Sequence, residues 1–107
     1  MSVNIVILIG RLGQDPEGKS FQNGGMIAHL SVATKQKWKD LQGDSQERIE
    51  WHRVVLHNKL ADFGMTNLTK GSLVYVEGSL KHRQYQDRQN TTRYITEIEA
   101  KLIHPLD

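Results

Sequence analysis

Apolar and polar positions alternate along several stretches of this chain, and each such stretch predicts a β-strand. From Val3 to Leu12 the run VNIVILIGRL is rich in β-branched residues and apolar on both parities, as in a central strand covered on both faces. Gly10 and Gly13 interrupt it, and interior strand glycines usually mark a bulge or the bend of a barrel corner. Asp15-Pro16 makes a turn, and Asn23-Gly24-Gly25 is a strong hairpin signal. Met26 to Lys37 then alternates, with Met26, Ala28, Leu30 and Val32 on one side and Ile27, His29, Ser31 and Ala33 on the other. The polar segment KDLQGDSQE at 39–47 predicts a flexible excursion, after which Ile49 to His57 resumes the extended pattern.

Asn58 is placed to cap a helix from Lys59 to about Leu68, with Leu60, Phe63 and Leu68 docking on the sheet and Gly71 ending it. Ser72 to Leu80 and Tyr94 to Ile103 read as two further strands. Three strands, a helix and two strands, in short elements bent at glycines, is the order of the five-stranded OB-fold barrel with its helix between strands three and four. The expected fold is therefore all-β with one short helix. A long basic hairpin, KHRQYQDRQNTTR at 81–93, joins the last two strands.

A length of 107 residues suits a single domain, 1–107, that folds without metal or disulfide staples. The absence of cysteine excludes a disulfide framework, a thiol nucleophile and thiolate metal sites, and fits a reducing cytosol. No apolar run approaches the roughly 20 residues of a membrane span, and no leader pattern opens the chain, so a cytoplasmic location is expected. Fourteen Lys and Arg against 12 Asp and Glu leave a formal charge of +2, too little to argue nucleic-acid binding by itself.

The distribution of charge changes that picture. Single-stranded nucleic acid offers phosphates and exposed base faces, so its binders interleave cations with flat side chains along a groove. Trp38 sits among Lys35, Lys37 and Lys39, Trp51 is followed by Arg53, and Tyr85 lies two residues after Arg83. Trp51, Arg53, Val55 and His57 share one strand face. An unpartnered arginine does not belong in a dry core, so this face is expected to meet solvent or a ligand. Trp51, Trp38 and Tyr85 are the candidate stacking residues, and His57 is a possible fourth. His52 faces the other way, towards packing or a subunit contact, and Tyr75 and Tyr94 are expected to pack or to lie at an interface.

The five histidines, His29, His52, His57, His82 and His104, show no i, i+4 pair and no acidic partner pattern, so neither a metal nor another cofactor is expected. No nucleophile with a base and no paired carboxylates stand out; Glu47, Glu50, Asp87, Glu97 and Glu99 read as solvated positions. An enzyme is not expected.

The segments ILIGRLGQDPE (7–17), NGG (23–25), EWHRVVLHNKLA (50–61), KGSLVYVEGSL (70–80) and RYITEI (93–98) resemble those of bacterial-type single-stranded DNA-binding proteins, and the resemblance runs from about Val3 to Leu102. It implies a nucleoid-associated OB-fold subunit that assembles as a homotetramer and binds single strands without sequence preference in replication, recombination and repair. The family's stacking aromatics map onto Trp38, Trp51 and Tyr85, where a tryptophan is common, and its basic contacts onto Arg11, Lys59, Lys70, Lys81 and Arg83. Lys35 and Arg53 are added from the groove argument above. The resemblance places His52 near a subunit contact, and Tyr75 is the other expected interface residue. Relatives often carry phenylalanine where this chain has His57, which implies weaker or more pH-sensitive binding. An aromatic is also frequent at the place of Ser20, whereas here Phe21 is its neighbour. Family members usually continue into a tail with an acidic tip that recruits replication and repair proteins, so such partners are expected only if a tail lies outside this chain. The rival expectations are a tail-less, dimeric primosomal accessory protein, a nucleic-acid enzyme, and a pure interaction module.

Overall fold

The computed structural model describes residues 1–107. Its elements are β1 (Val6–Leu12), β2 (Glu17–Ser20), β3 (Met26–Lys39), β4 (Ser45–His57), α1 (Lys59–Asn67), β5 (Leu73–Gln86) and β6 (Thr92–Pro105). The sheet order is β1-β5-β6-β4-β3-β2, and an additional β1–β3 pairing closes five of these strands into a barrel. The closing contacts are short: β1 meets β3 at Arg11↔Ala33 and Leu12↔Val32, and β4 meets β6 in parallel at Val54↔Ile98 and Val55↔Glu99. The expected OB-fold is present, with the helix between β4 and β5. The four-residue β2 is an addition, pairing with the start of β3 across the NGG hairpin.

Alternation explains the core. Leu12, Ala28, Leu30, Val32, Val54, Leu56, Val74, Val76 and Ile98 point inwards from the strands, and Ala61 and Leu68 bring α1 down as a plug. Leu60 and Phe63 pack against this cluster from its margin. Asn58 does not cap α1: its side-chain Oδ1 instead accepts the Met26 N–H at 3.1 Å, and its own N–H donates to the Met26 carbonyl at 2.8 Å. The helix is thereby hung from the start of β3.

Three further expectations are corrected. The strand at the N-terminus is not covered on both faces, because Ile5, Ile7 and Ile9 are all more than half exposed and nothing in the chain lies over them. Of the bulge or barrel corner expected at Gly10, the bulge falls instead at Glu77/Gly78 of β5, while Gly10 sits where β1 closes on β3 and a Cβ would stand 2.1 Å from the Ala33 carbonyl oxygen. The excursion at 39–47 is an ordered arm: β3 and β4 stay paired as far as Lys39↔Ser45 and turn at Asp40–Asp44.

Local hydrogen bonding accounts for that arm. Asp40 Oδ1 accepts the N–H groups of Gln42 and Asp44, and Asp87 Oδ1 does the same for Gln89 and Thr91 at the end of the β5–β6 arm. In each turn the residue three places after the aspartate has positive φ, 82° at Gly43 and 62° at Asn90. Both long hairpins therefore end in one turn design, in which an aspartate replaces the missing ladder partner. The backbone bonds from Asp44 and Thr91 hold the Asp40 and Asp87 carboxyls below their ordinary value.

Candidate nucleic-acid interface

The pairing register sets which residues share the outer face of the sheet. Ala33 lies opposite Trp51, Ser31 opposite Arg53, His29 opposite Val55 and Ile27 opposite His57. Val55 pairs with Glu99 of β6, and β6 in turn sets Glu97 opposite Lys81 and Arg93 opposite Tyr85 of β5. At the other margin β2 adds Glu17 and Lys19 opposite His29 and Ile27. Trp51, His57, Tyr85, Arg53, Lys81 and Arg83 thus belong to one face that crosses β4, β6 and β5.

Trp51 is 59% exposed, which excludes a core role. The outer edge of its ring abuts Gly13, where a Cβ would stand 2.3 Å from one ring carbon and 2.6 Å from the next. The glycine makes room for the edge of the indole beside the end of β1, and the ring stays largely open to solvent. Tyr85 is exposed on the second arm. Trp38 does not join this face. It lies opposite Gln46 on the parity that points inwards lower in β3, at the end of the arm beyond the core, in an open depression of about 450 Å3 lined by Lys37, Lys39, Ser45 and Glu47. The exposed Tyr94, expected to pack or to lie at an interface, does not pack within the chain and occupies the corresponding parity of the other arm, opposite Gln84.

The centre of the face is an ion-pair network. Glu97, read from the sequence as a solvated position, is 6% exposed. Its carboxylate accepts Arg53 Nε at 2.7 Å, Arg83 Nε at 2.8 Å and Arg83 Nη2 at 3.2 Å. The Arg83 bonds hold it below the usual carboxylate range against the opposing effect of burial, with Arg53 assisting. Glu99 accepts Lys81 Nζ and stands 3.9 Å from His57 Nε2; the Lys81 bond lowers its carboxyl likewise. Burial, reinforced by Arg53, lowers His29, so its imidazole stays neutral beside these cations.

The remaining cations lie around the face. Arg11 pairs with Asp107 at 2.8 Å and donates to the Gly71 carbonyl at 2.9 Å. Lys35 stands 3.4 Å from Glu47. Lys59 and Lys70 make no ion pair; Lys70 donates its backbone N–H to Asp15 at 2.7 Å, in the loop beside Leu12. Sequence reasoning did not select Phe21, yet its ring is exposed at the β2 margin with Lys19 Nζ 5.7 Å from its centre. The signal available was an aromatic two residues from a lysine beside a hairpin. His52 lies off the face, half-buried, bonded through Nε2 to Thr34 Oγ1 at 2.8 Å. Tyr75 is opposite Ile9 and donates its hydroxyl to Glu77 at 3.0 Å.

A family model described as "Single-strand binding protein family" matches residues 3–106. The chain belongs to the single-strand binding protein family. Among solved structures, this member is similar to a Plasmodium falciparum SSB in complex with ssDNA, at 33% identity and a TM-score of 0.93, covering all of this chain and 97% of that one. It is also similar to a deletion mutant of the single-stranded DNA binding protein from Thermus aquaticus, at 31% identity and a TM-score of 0.86. There the match covers 98% of this chain and 51% of the other, so the chain spans about half the length of the Thermus aquaticus protein.

In this single-strand binding protein the face offers flat rings at three positions, guanidinium groups fixed by Glu97 between them, and the exposed ammonium of Lys81. That set suits stacking and phosphate neutralisation, neither of which requires a bond to be broken. No helix of the chain is long and apolar enough to cross a membrane.

Proposed function

We propose that single-stranded DNA lies across the β4–β6–β5 face, its bases stacking on Trp51, His57 and Tyr85 and its phosphates meeting Arg53, Lys81 and Arg83. Binding of single strands, in the service of replication, recombination and repair, is the function of the family to which the chain belongs. The observation that supports this path is the sharing of one outer face by Trp51, Tyr85 and three cations from two strands that are not neighbours. Trp38 reaches the strand from the arm, so the DNA bends around the arm to use both tryptophans. Arg11, Lys35, Lys59 and Lys70 extend the positive margin. Stacking is indifferent to base identity, so little sequence preference is expected, and the domain acts by binding rather than turnover.

The subunits associate through the uncovered face of β1. Ile5, Ile7 and Ile9 stand exposed in a row on one parity, with Tyr75 beside Ile9, and a continuous apolar row of this kind marks an interface in a soluble protein. A homotetramer is the expected assembly, a dimer the alternative, with His52 near a contact. The reading as a primosomal relay is not favoured.

Titration of intrinsic tryptophan fluorescence with poly-dT and with a matched duplex, at two salt concentrations, tests the path directly. Quenching by the single strand alone, weakened by salt, is expected. Equal quenching by duplex, or none, overturns it.

A further inference from the structure

We propose that Glu99 is a built-in competitor of the DNA phosphates, holding Lys81 in the free protein and releasing it only when a phosphate takes its place. The proposal rests on the reading that the β4–β6–β5 face receives the strand. β6 runs through the middle of that face between β4 and β5, and its outward residues Glu97 and Glu99 are both acids. Each engages both neighbouring strands: Glu97 holds Arg53 of β4 and Arg83 of β5, while Glu99 holds Lys81 of β5 and faces His57 of β4. A surface built to attract a polyanion thus carries two carboxylates at its centre.

The two acids differ in what can displace them. The Glu97 side chain is 8% exposed and accepts three hydrogen bonds from two arginines, one of them bidentate, which fixes both guanidinium planes. The Glu99 side chain is 32% exposed and its one hydrogen bond comes from Lys81, whose own side chain is 62% exposed. A lysine ammonium on a flexible stem needs only a rotamer change to leave a carboxylate for a nearby phosphate. Glu97 is therefore a fixed strut and Glu99 an exchangeable partner.

The exchange has a thermodynamic signature. A phosphate neutralised by a free lysine sheds its condensed counterion, adding about −0.7 to the slope of log K against log salt for single strands. When the lysine must first leave Glu99, the freed carboxylate draws cations from solution and offsets that release. Removing the carboxylate restores the full term, worth about eight-fold in affinity at 50 mM salt when variant and wild type are referred to equal binding at 1 M.

Poly-dT binding from 50 to 200 mM NaCl, followed by tryptophan quenching, is compared for the wild type, Glu99→Gln and Asp62→Asn. The last makes the same charge change on α1, where it frees no cation. Glu99→Gln is expected to bind more tightly, approaching eight-fold at 50 mM, with a slope steeper by up to about 0.7, while Asp62→Asn stays near wild type. An unchanged slope in Glu99→Gln, or an equal gain in Asp62→Asn, overturns the proposal and leaves the DNA path standing. Lys81→Ala in the wild-type background supplies a second reading that does not depend on folding of the first variant. Competition predicts a loss well short of eight-fold with a slope close to wild type, and a full loss of about eight-fold with a shallower slope refutes it. A wild-type protein that ignores poly-dT removes both the path and the proposal.

Discussion

A Cβ on Gly13 would stand 2.3 Å from the Trp51 ring, so the indole keeps its place because the residue at its edge has no side chain. Gly13→Ala is therefore expected to lift or turn the ring and to weaken poly-dT binding in the same direction as Trp51→Ala. The latter should cost about 1–3 kcal/mol of binding free energy, measured by fluorescence or filter titration. Glu97 yields a prediction about acid. Its pKa is lowered in the folded state, first by Arg83 and then by Arg53, so its stabilising contribution is complete above the ordinary carboxylate value. That contribution is lost as pH falls below about 4.5 towards the lowered folded value. Urea unfolding at pH 7 and pH 3 should show a larger loss for the wild type than for Glu97→Gln. The sequence exposed the Trp51 face because Arg53 shares its parity. It did not reveal Glu97, whose partners lie 44 and 14 residues away and meet it only once the barrel has closed.

At the scale of elements, the two long hairpins run beyond the barrel and carry no buried core, as their exposed outer residues show. Their ends depend on the aspartate turns. Asp87→Ala removes the acceptor for Gln89, Thr91 and Arg93 together, so the β5–β6 arm should fray. Hydrogen exchange is expected to accelerate from 84 to 93 and poly-dT affinity to fall, while the thermal midpoint changes little because the barrel core is untouched. Strand positions and the helix were legible from period-two alternation and from the polar break at Asn58. The arms were harder to read, because a strand without a buried face shows no hydrophobic period. The turn at 40–44 read as loose polar chain, whereas the Asp40 side chain supplies order that composition does not signal. The split of Trp38 from Trp51 was already implicit in their parity, once the arm's regular register is known.

For the whole molecule, the proposed association through the apolar row of β1 can be tested in solution. Ile7→Glu places a charge in that row and should shift the mass in solution from a multiple of the 12.2 kDa chain towards the single chain, as measured by light scattering. Salt dependence and strand affinity per subunit should survive if the DNA face is complete within one chain. The sequence showed the isoleucines but not their exposure, since a strand apolar on both sides looks the same whether its second cover comes from its own chain or from another.

β1 also sets the order of events during folding. Its partners are Leu73 to Gly78 on one edge and Val32 and Ala33 on the other, so β1 bonds to a strand more than sixty residues downstream. The β3–β4 hairpin closes over a short loop and is available early, whereas β1 cannot be seated until β5 has emerged. Until then the β5-facing edge of β1 stays unpaired and open to unwanted pairing. Closure that waits for β5, with β1 open to chaperones in the meantime, is the kinetic cost of sealing a barrel with its first strand.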